Sequence, residues 1–170
     1  MSLKTPICAF DAKTGILCPK CEAKLKGGHL TRADVDLSVK LSKAAEKIPE
    51  LNKTTLIRAV ELDEHTVLML GHGDLAILGR DSSLVRKIEE SINKRLSLVE
   101  AQFSDRRLIE YLFRPINIVT VNVVWLPDGS KMTKVIIPGR KNEQFPVNVE
   151  LVQKLVKAIR GIDLMVEFEN

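Results

Sequence analysis

Residues 66–92 read TVLMLGHGDLAILGRDSSLVRKIEESI. An apolar strand pattern, TVLML, runs into Gly71-His72-Gly73, and a further glycine, Gly79, stands just before a second helical pattern. Glycines between a strand and a helix meet phosphate in two ways. A dinucleotide fingerprint needs G-x-G-x-x-G/A to open one continuous helix whose first amides hold a pyrophosphate. LGHGDLA has that outline, but Gly79 interrupts the helix after little more than one turn. No lysine stands in G-x-x-x-x-G-K-[ST] register either. The other way is a short helix, a tight glycine turn and a second helix. Glycine lets a nucleic-acid backbone approach closely, and the following helix offers unpaired N–H groups. In that reading Gly79 provides access, Arg80 supplies charge, and the amides around Ser82 and Ser83 supply donors. Ile77 and Leu78 form the aliphatic floor under the bases, Asp81 lies inside the turn, and Arg86 and Lys87 add charge on the next helix.

Working outward, residues 32–48 repeat apolar residues at helical spacing after a Thr31 cap. TTLIRAVEL and TVLML read as strands joined at Asp63-Glu64-His65, and a short helix follows from about Asp74 to Ile77. Ser82 or Ser83 is expected to cap a longer helix through Asn93, with Leu84, Ile88 and Ile92 on one face. LSLVEA is a strand and residues 105–113 a short helix. INIVTVNVVWL and KMTKVIIP form a hairpin around PDGS, whose Asp-Gly is a strong turn signal. Residues 147–160 are helical and IDLMVEF closes as a strand.

The order is helix, two strands, helices, strand, and then the same again. LVRKIEESINKRLSLVE (84–100) aligns without a gap on LVQKLVKAIRGIDLMVE (151–167). Leu84/Leu151, Val85/Val152, Lys87/Lys154, Ile92/Ile159, Val99/Val166 and Glu100/Glu167 are identical, which points to a duplication. In this alignment Gly79-Arg80-Asp81-Ser82 falls on Pro146-Val147-Asn148-Val149, so the second copy lacks the glycine turn at that place. PGRKN (138–142) is the nearest substitute.

The glycine turn follows the logic of the KH module, in which such a loop clamps a short single strand. GDLAILGRDSSLVRKIEESINKRLSLVEA (73–101), followed by PINIVTVNVV (115–124), resembles the paired KH domains of archaeal NusA-like transcription factors. The likeness covers about residues 50–170 and weakens after Gly139. The family's first loop commonly reads like A-I-G-K-G-G; here its last glycine is Ser82, and Asp81 adds a negative charge. The resemblance implies an α+β fold of two tandem type II KH-like domains, each α-β-β-α-α-β with a mixed three-stranded sheet. The expected boundaries are 31–102 and 103–170, behind a zinc-knuckle-like segment at 1–30. It also implies binding of single-stranded RNA in transcription elongation or termination.

ICAFDAKTGILCPKCEAKLKGGH (7–29) carries all three cysteines. Two residues between Cys18 and Cys21 let both thiolates meet one ion. With Cys8, three ligands are available for structural zinc. His29 is the nearest neutral fourth candidate and Asp11, or a ligand from elsewhere, the fallback. So short and polar a stretch folds poorly without such a staple. Some archaeal relatives with NusA-like KH domains carry a similar three-cysteine front end.

The chain has 170 residues, net charge +4, one Trp, one Tyr and five Phe. No strand carries the clustered aromatics on which RRM-type or OB-type modules stack bases. Lys131, Lys134, Arg140 and Lys141 form a second basic stretch in the second copy, and RNA contact is expected through backbone, aliphatic surface and charge. No run is long enough to span a bilayer and no secretory leader is evident, so a cytoplasmic protein with reduced thiols is expected. The H-x-E partner motif of zinc deaminases is absent, and His65 and His72 have no nucleophile at recognisable spacing, so neither an enzyme nor a small-molecule substrate is expected. The competing class is a scaffold on RNA polymerase or the ribosome, in which degenerate KH folds bind little RNA.

Overall fold

In the computed structural model, residues 2–63, 65–140 and 146–169 are described. They form two compact units, Met1–Gln102 and Phe103–Asn170.

The first unit is organised by one carboxylate. Helix α3 (Arg32–Ala44) follows α1 (Ala9–Thr14) and α2 (Pro19–Lys26) and opens with a capping box. Asp34 N donates to Thr31 Oγ1 at 3.1 Å, and Thr31 N donates to Asp34 Oδ2 at 2.9 Å. The other Asp34 oxygen accepts the Ala59 amide at 2.7 Å from β1 (Leu56–Leu62), tying the helix start to the sheet. Asp34 is buried, so Asp34→Ala strands donors away from water. A loss of about 2–4 kcal/mol is expected from chemical denaturation, cap and buried amide together. A loss below about 0.5 kcal/mol would show that water replaces the carboxylate.

β1 pairs antiparallel with β2 (His65–Leu70), and β2 pairs parallel with β3 (Arg95–Glu100). A parallel neighbour requires a crossover, supplied by α4 (Asp74–Leu78) and α5 (Ser82–Ile92). Leu84, Ile88 and Ile92 are the buried stripe of α5, as their spacing predicts, and pack with Leu37, Leu41, Leu68 and Leu98. Asn93 ends α5 in the left-handed conformation. The expected serine cap is replaced by Asp81, because the helix begins at Ser82 and Asp81, still extended, is the residue placed to accept from the Ser83 amide.

Residues before α3 belong to this unit. Leu56 N donates to Lys4 O at 2.8 Å beside the Lys4–Thr55 bridge, and Ile7, Ala12, Cys21, Leu30 and Val35 form a small apolar cluster.

In the second unit α6 (Asp105–Leu112) precedes the hairpin of β4 (Thr120–Trp125) and β5 (Lys131–Pro138), which turns at Gly129 with φ +87°. β5 pairs parallel with β6 (Leu164–Glu169) across α7 (Val149–Arg160). The duplication read from the letters has structural counterparts. Asp81 caps α5 and its aligned Asn148 caps α7; Val99 and its aligned Val166 both lie on the third strand, opposite Met69 and Val135. The copies differ in the crossover. Among the described residues α7 is the one helix between β5 and β6, so the full α-β-β-α-α-β order is seen in the first unit. Pro146 stands where Gly79 does in the first copy, and proline cannot donate the amide that Gly79 uses to close α4.

No helix among the described residues is long and apolar enough to cross a membrane.

Candidate metal centre and glycine turn

Two short helices build the metal centre in the same way. Cys8 is the N-cap of α1 and Asp11 its third residue; Cys18 is the N-cap of α2 and Cys21 its third residue. N-cap and third-residue side chains converge at a helix start, so each helix delivers a pair. Pro19 at the first position of α2 costs no hydrogen bond there. Ligand atoms from Cys8, Asp11, Cys18 and Cys21 all lie within 4.8 Å of one another.

The surroundings orient them. Cys18 N donates to Asp11 Oδ2 at 2.9 Å, and Cys8 N donates to Cys21 Sγ at 3.5 Å. Asp11 is 1% exposed and Cys21 3%. Asp11 Oδ1 is buried without a hydrogen-bond partner, an acceptor that a cation would satisfy. The Cys18 amide, with help from the Cys21 thiol, pulls the Asp11 carboxyl down to about 2. Burial pushes the Cys21 thiol up to about 12. Three sulfurs and a carboxylate at this spacing fit a tetrahedral metal ion.

His29 is not in this group. Its amide donates to Lys24 O at the far end of α2, whereas the cysteines sit at the helix start. At 1.5 Å per residue those ends are about 12 Å apart. The signal for Asp11 was in the sequence: Cys8 and Asp11 repeat the spacing of Cys18 and Cys21.

The glycine loops have a different character. Asp74 Oδ2 accepts the Gly71 amide at 3.0 Å and the Thr55 amide at 2.8 Å, so a buried carboxylate already serves the Gly71–Gly73 loop. Gly79 has φ −87°, open to any residue, yet a Cβ there would stand 2.8 Å from the Leu75 carbonyl oxygen. Gly79 is therefore required for the close of α4 itself. Ile77 packs against the first core. Arg80, Asp81, Ser82 and Ser83 are exposed in the turn and at the start of α5.

The Ser83 donors expected for phosphate are engaged within the chain. Ser83 N and Ser83 Oγ donate to Asp81 Oδ1 at 2.9 and 2.8 Å. These bonds, the hydroxyl first, hold the Asp81 carboxyl below its ordinary range, with a smaller contribution from Lys87. Lys87 is exposed on α5, while Arg86 borders a recess with Glu89, Glu90, Lys94 and Arg95 that mixes both signs. In the second unit Lys131 is exposed opposite Trp125, and Lys134 pairs with Glu167 at 3.0 Å. Arg140 is exposed just after β5, and Lys141 lies outside the described residues.

No family model matches the chain, and no curated protein does. Solved structures do match. One is a crystal structure of a protein named APE1850, at a TM-score of 0.51 and 16% identity, covering 76% of this chain and 95% of that one. At such identity the likeness is one of fold.

Proposed function

We propose that this chain is a non-enzymatic, NusA-like factor of transcription elongation or termination, in which two KH-like units bind single-stranded RNA behind a zinc-pinned N-terminal segment. The observation that carries it is the first unit: helix, two strands, short helix, exposed turn, helix and strand on a mixed sheet, with Arg80 at the open turn. Zinc is the metal because soft thiolates in a closed four-ligand set select it. Cys8, Cys18, Cys21 and Asp11 Oδ1 hold it, and it supplies cross-linking with no open position for chemistry. Reduced thiols suit a cytoplasmic setting.

A second reading has its own support. Asp81 places a carboxylate on the Ser83 amide, where an RNA phosphate would have to compete. A turn so occupied suits a scaffold on RNA polymerase or the ribosome.

Binding of a short unstructured RNA across a salt series separates the two. Under the RNA reading log affinity falls linearly with log salt, with a slope of about −0.7 per phosphate contacted. Arg80→Glu is expected to weaken binding on the order of tenfold. Asp81→Gly is expected to tighten it, because the competing charge leaves. Gly79 is a poor probe, since any side chain there collides with Leu75. Absence of RNA binding at physiological salt, with a protein complex co-purifying, establishes the scaffold instead.

A further inference from the structure

The two sheets end in four edge strands, β1, β3, β4 and β6, of which β1 is already met by Lys4 at Leu56 and by Asp34 at Ala59. Three carry charge: Arg58 and Glu61 on β1, Arg95 and Glu100 on β3, Glu167 and Glu169 on β6. β1 also has a register break between Leu56 and Arg58. Charges and bulges of this kind keep a free edge from pairing with another chain. β4, TVNVVW, has neither, and its register against β5 is unbroken from Thr120 to Trp125. The sequence holds no charge anywhere between Arg114 and Asp128. Val119, Val123 and Trp125 are 47%, 57% and 70% exposed. Alternate residues of a strand share a face; Val121 of this set packs on the core, and past it Val123 and Trp125 stay exposed beside an edge that, among the described residues, pairs with no other strand.

We propose that β4 is a dimer edge, on which β4 of a second copy of this chain pairs antiparallel to make one sheet across a two-fold axis. A two-fold contact sets a strand against itself, so any charge on it would face its own like. A strand with no charge meets that requirement. β4 itself offers an anionic partner such as RNA no cation, since Lys131 and Lys134 stand on the neighbouring β5. Pairing would cover the Val123–Trp125 stripe with the same stripe of the other copy.

The test is sedimentation of the full chain over a concentration series, with the emission of Trp125, its one tryptophan. The mass is expected to rise from 19.0 kDa towards twice that value as emission moves to the blue. Val123→Lys, at a side chain outside the core, is expected to raise the dimer dissociation constant by at least about tenfold, with an unchanged melting curve at concentrations where wild type is monomeric. If that variant misfolds, slowing of β4 amide exchange with wild-type concentration is the readout. A monomer at every concentration overturns the proposal and leaves the edge to another protein's strand. A dimer in which neither Trp125 emission nor β4 exchange changes overturns it too, because another surface then carries the contact.

Discussion

Cys21→Ser protein is expected to purify without stoichiometric zinc and to lose the early part of its fold. Wild-type protein should carry one zinc per chain, measurable by elemental analysis and by release to a chromogenic chelator. The segment before α3 contributes Ile7, Ala12, Cys21 and Leu30 to a small buried cluster completed by Val35 of α3, and its two helices span 6 and 8 residues. Helices that short are not stable by themselves. In small zinc folds the metal supplies on the order of 10 kcal/mol of apparent folding free energy, far more than this cluster. Removing a thiolate that is 3% exposed withdraws a ligand from the interior of the site. Proteolysis of the variant should therefore cut within residues 5–30 while α3 and its sheet persist. Asp11→Ala should weaken zinc binding while His29→Ala leaves it unchanged. Wild-type protein free of metal, or a Cys21→Ser variant as resistant as wild type, would remove the metal from the account.

Phe113→Ala is expected to unfold the second unit while the first remains folded. Phe113 is 0% exposed and packs with Ile109, Val135, Ile137, Val152, Val156 and Leu164. Truncating a buried phenylalanine costs about 3–5 kcal/mol, transfer and cavity together. A unit of this length, Phe103–Asn170, has a total stability of roughly 3–10 kcal/mol at ordinary values per residue. One substitution thus removes much or all of it. Limited proteolysis of the full chain should leave a fragment close to Met1–Gln102. Full-length protein as resistant as wild type would mean that the cavity collapses at little cost.

Local letters carried most of the secondary structure. Leu84, Ile88 and Ile92 state a helix face by spacing alone, and the cap at Thr31 and the turn at Asp128-Gly129 were likewise legible. So was the recurrence of two strands, helix and strand, since helix spacing and strand alternation are set by neighbours along the chain. What neighbours do not set is which polar group answers which. Asp81 rather than a serine caps α5, because several adjacent side chains can reach the same amide and only geometry chooses. Gly79 looked like a place for phosphate to approach, and its tight contact with the Leu75 carbonyl appears only when α4 is closed.

Short-range periodicity and spacing are enough for the α+β class, the element order of the first unit and the grouping of the three cysteines. Packing between distant elements sets the remainder. It put Asp11 and not His29 with the cysteines, since two helix starts meet while His29 lies at the opposite end of its helix. It also left β4, with no charge of its own, at the end of its sheet among the described residues. A strand's sequence shows that it carries no charge, but which strand ends the sheet is fixed only when the others have paired.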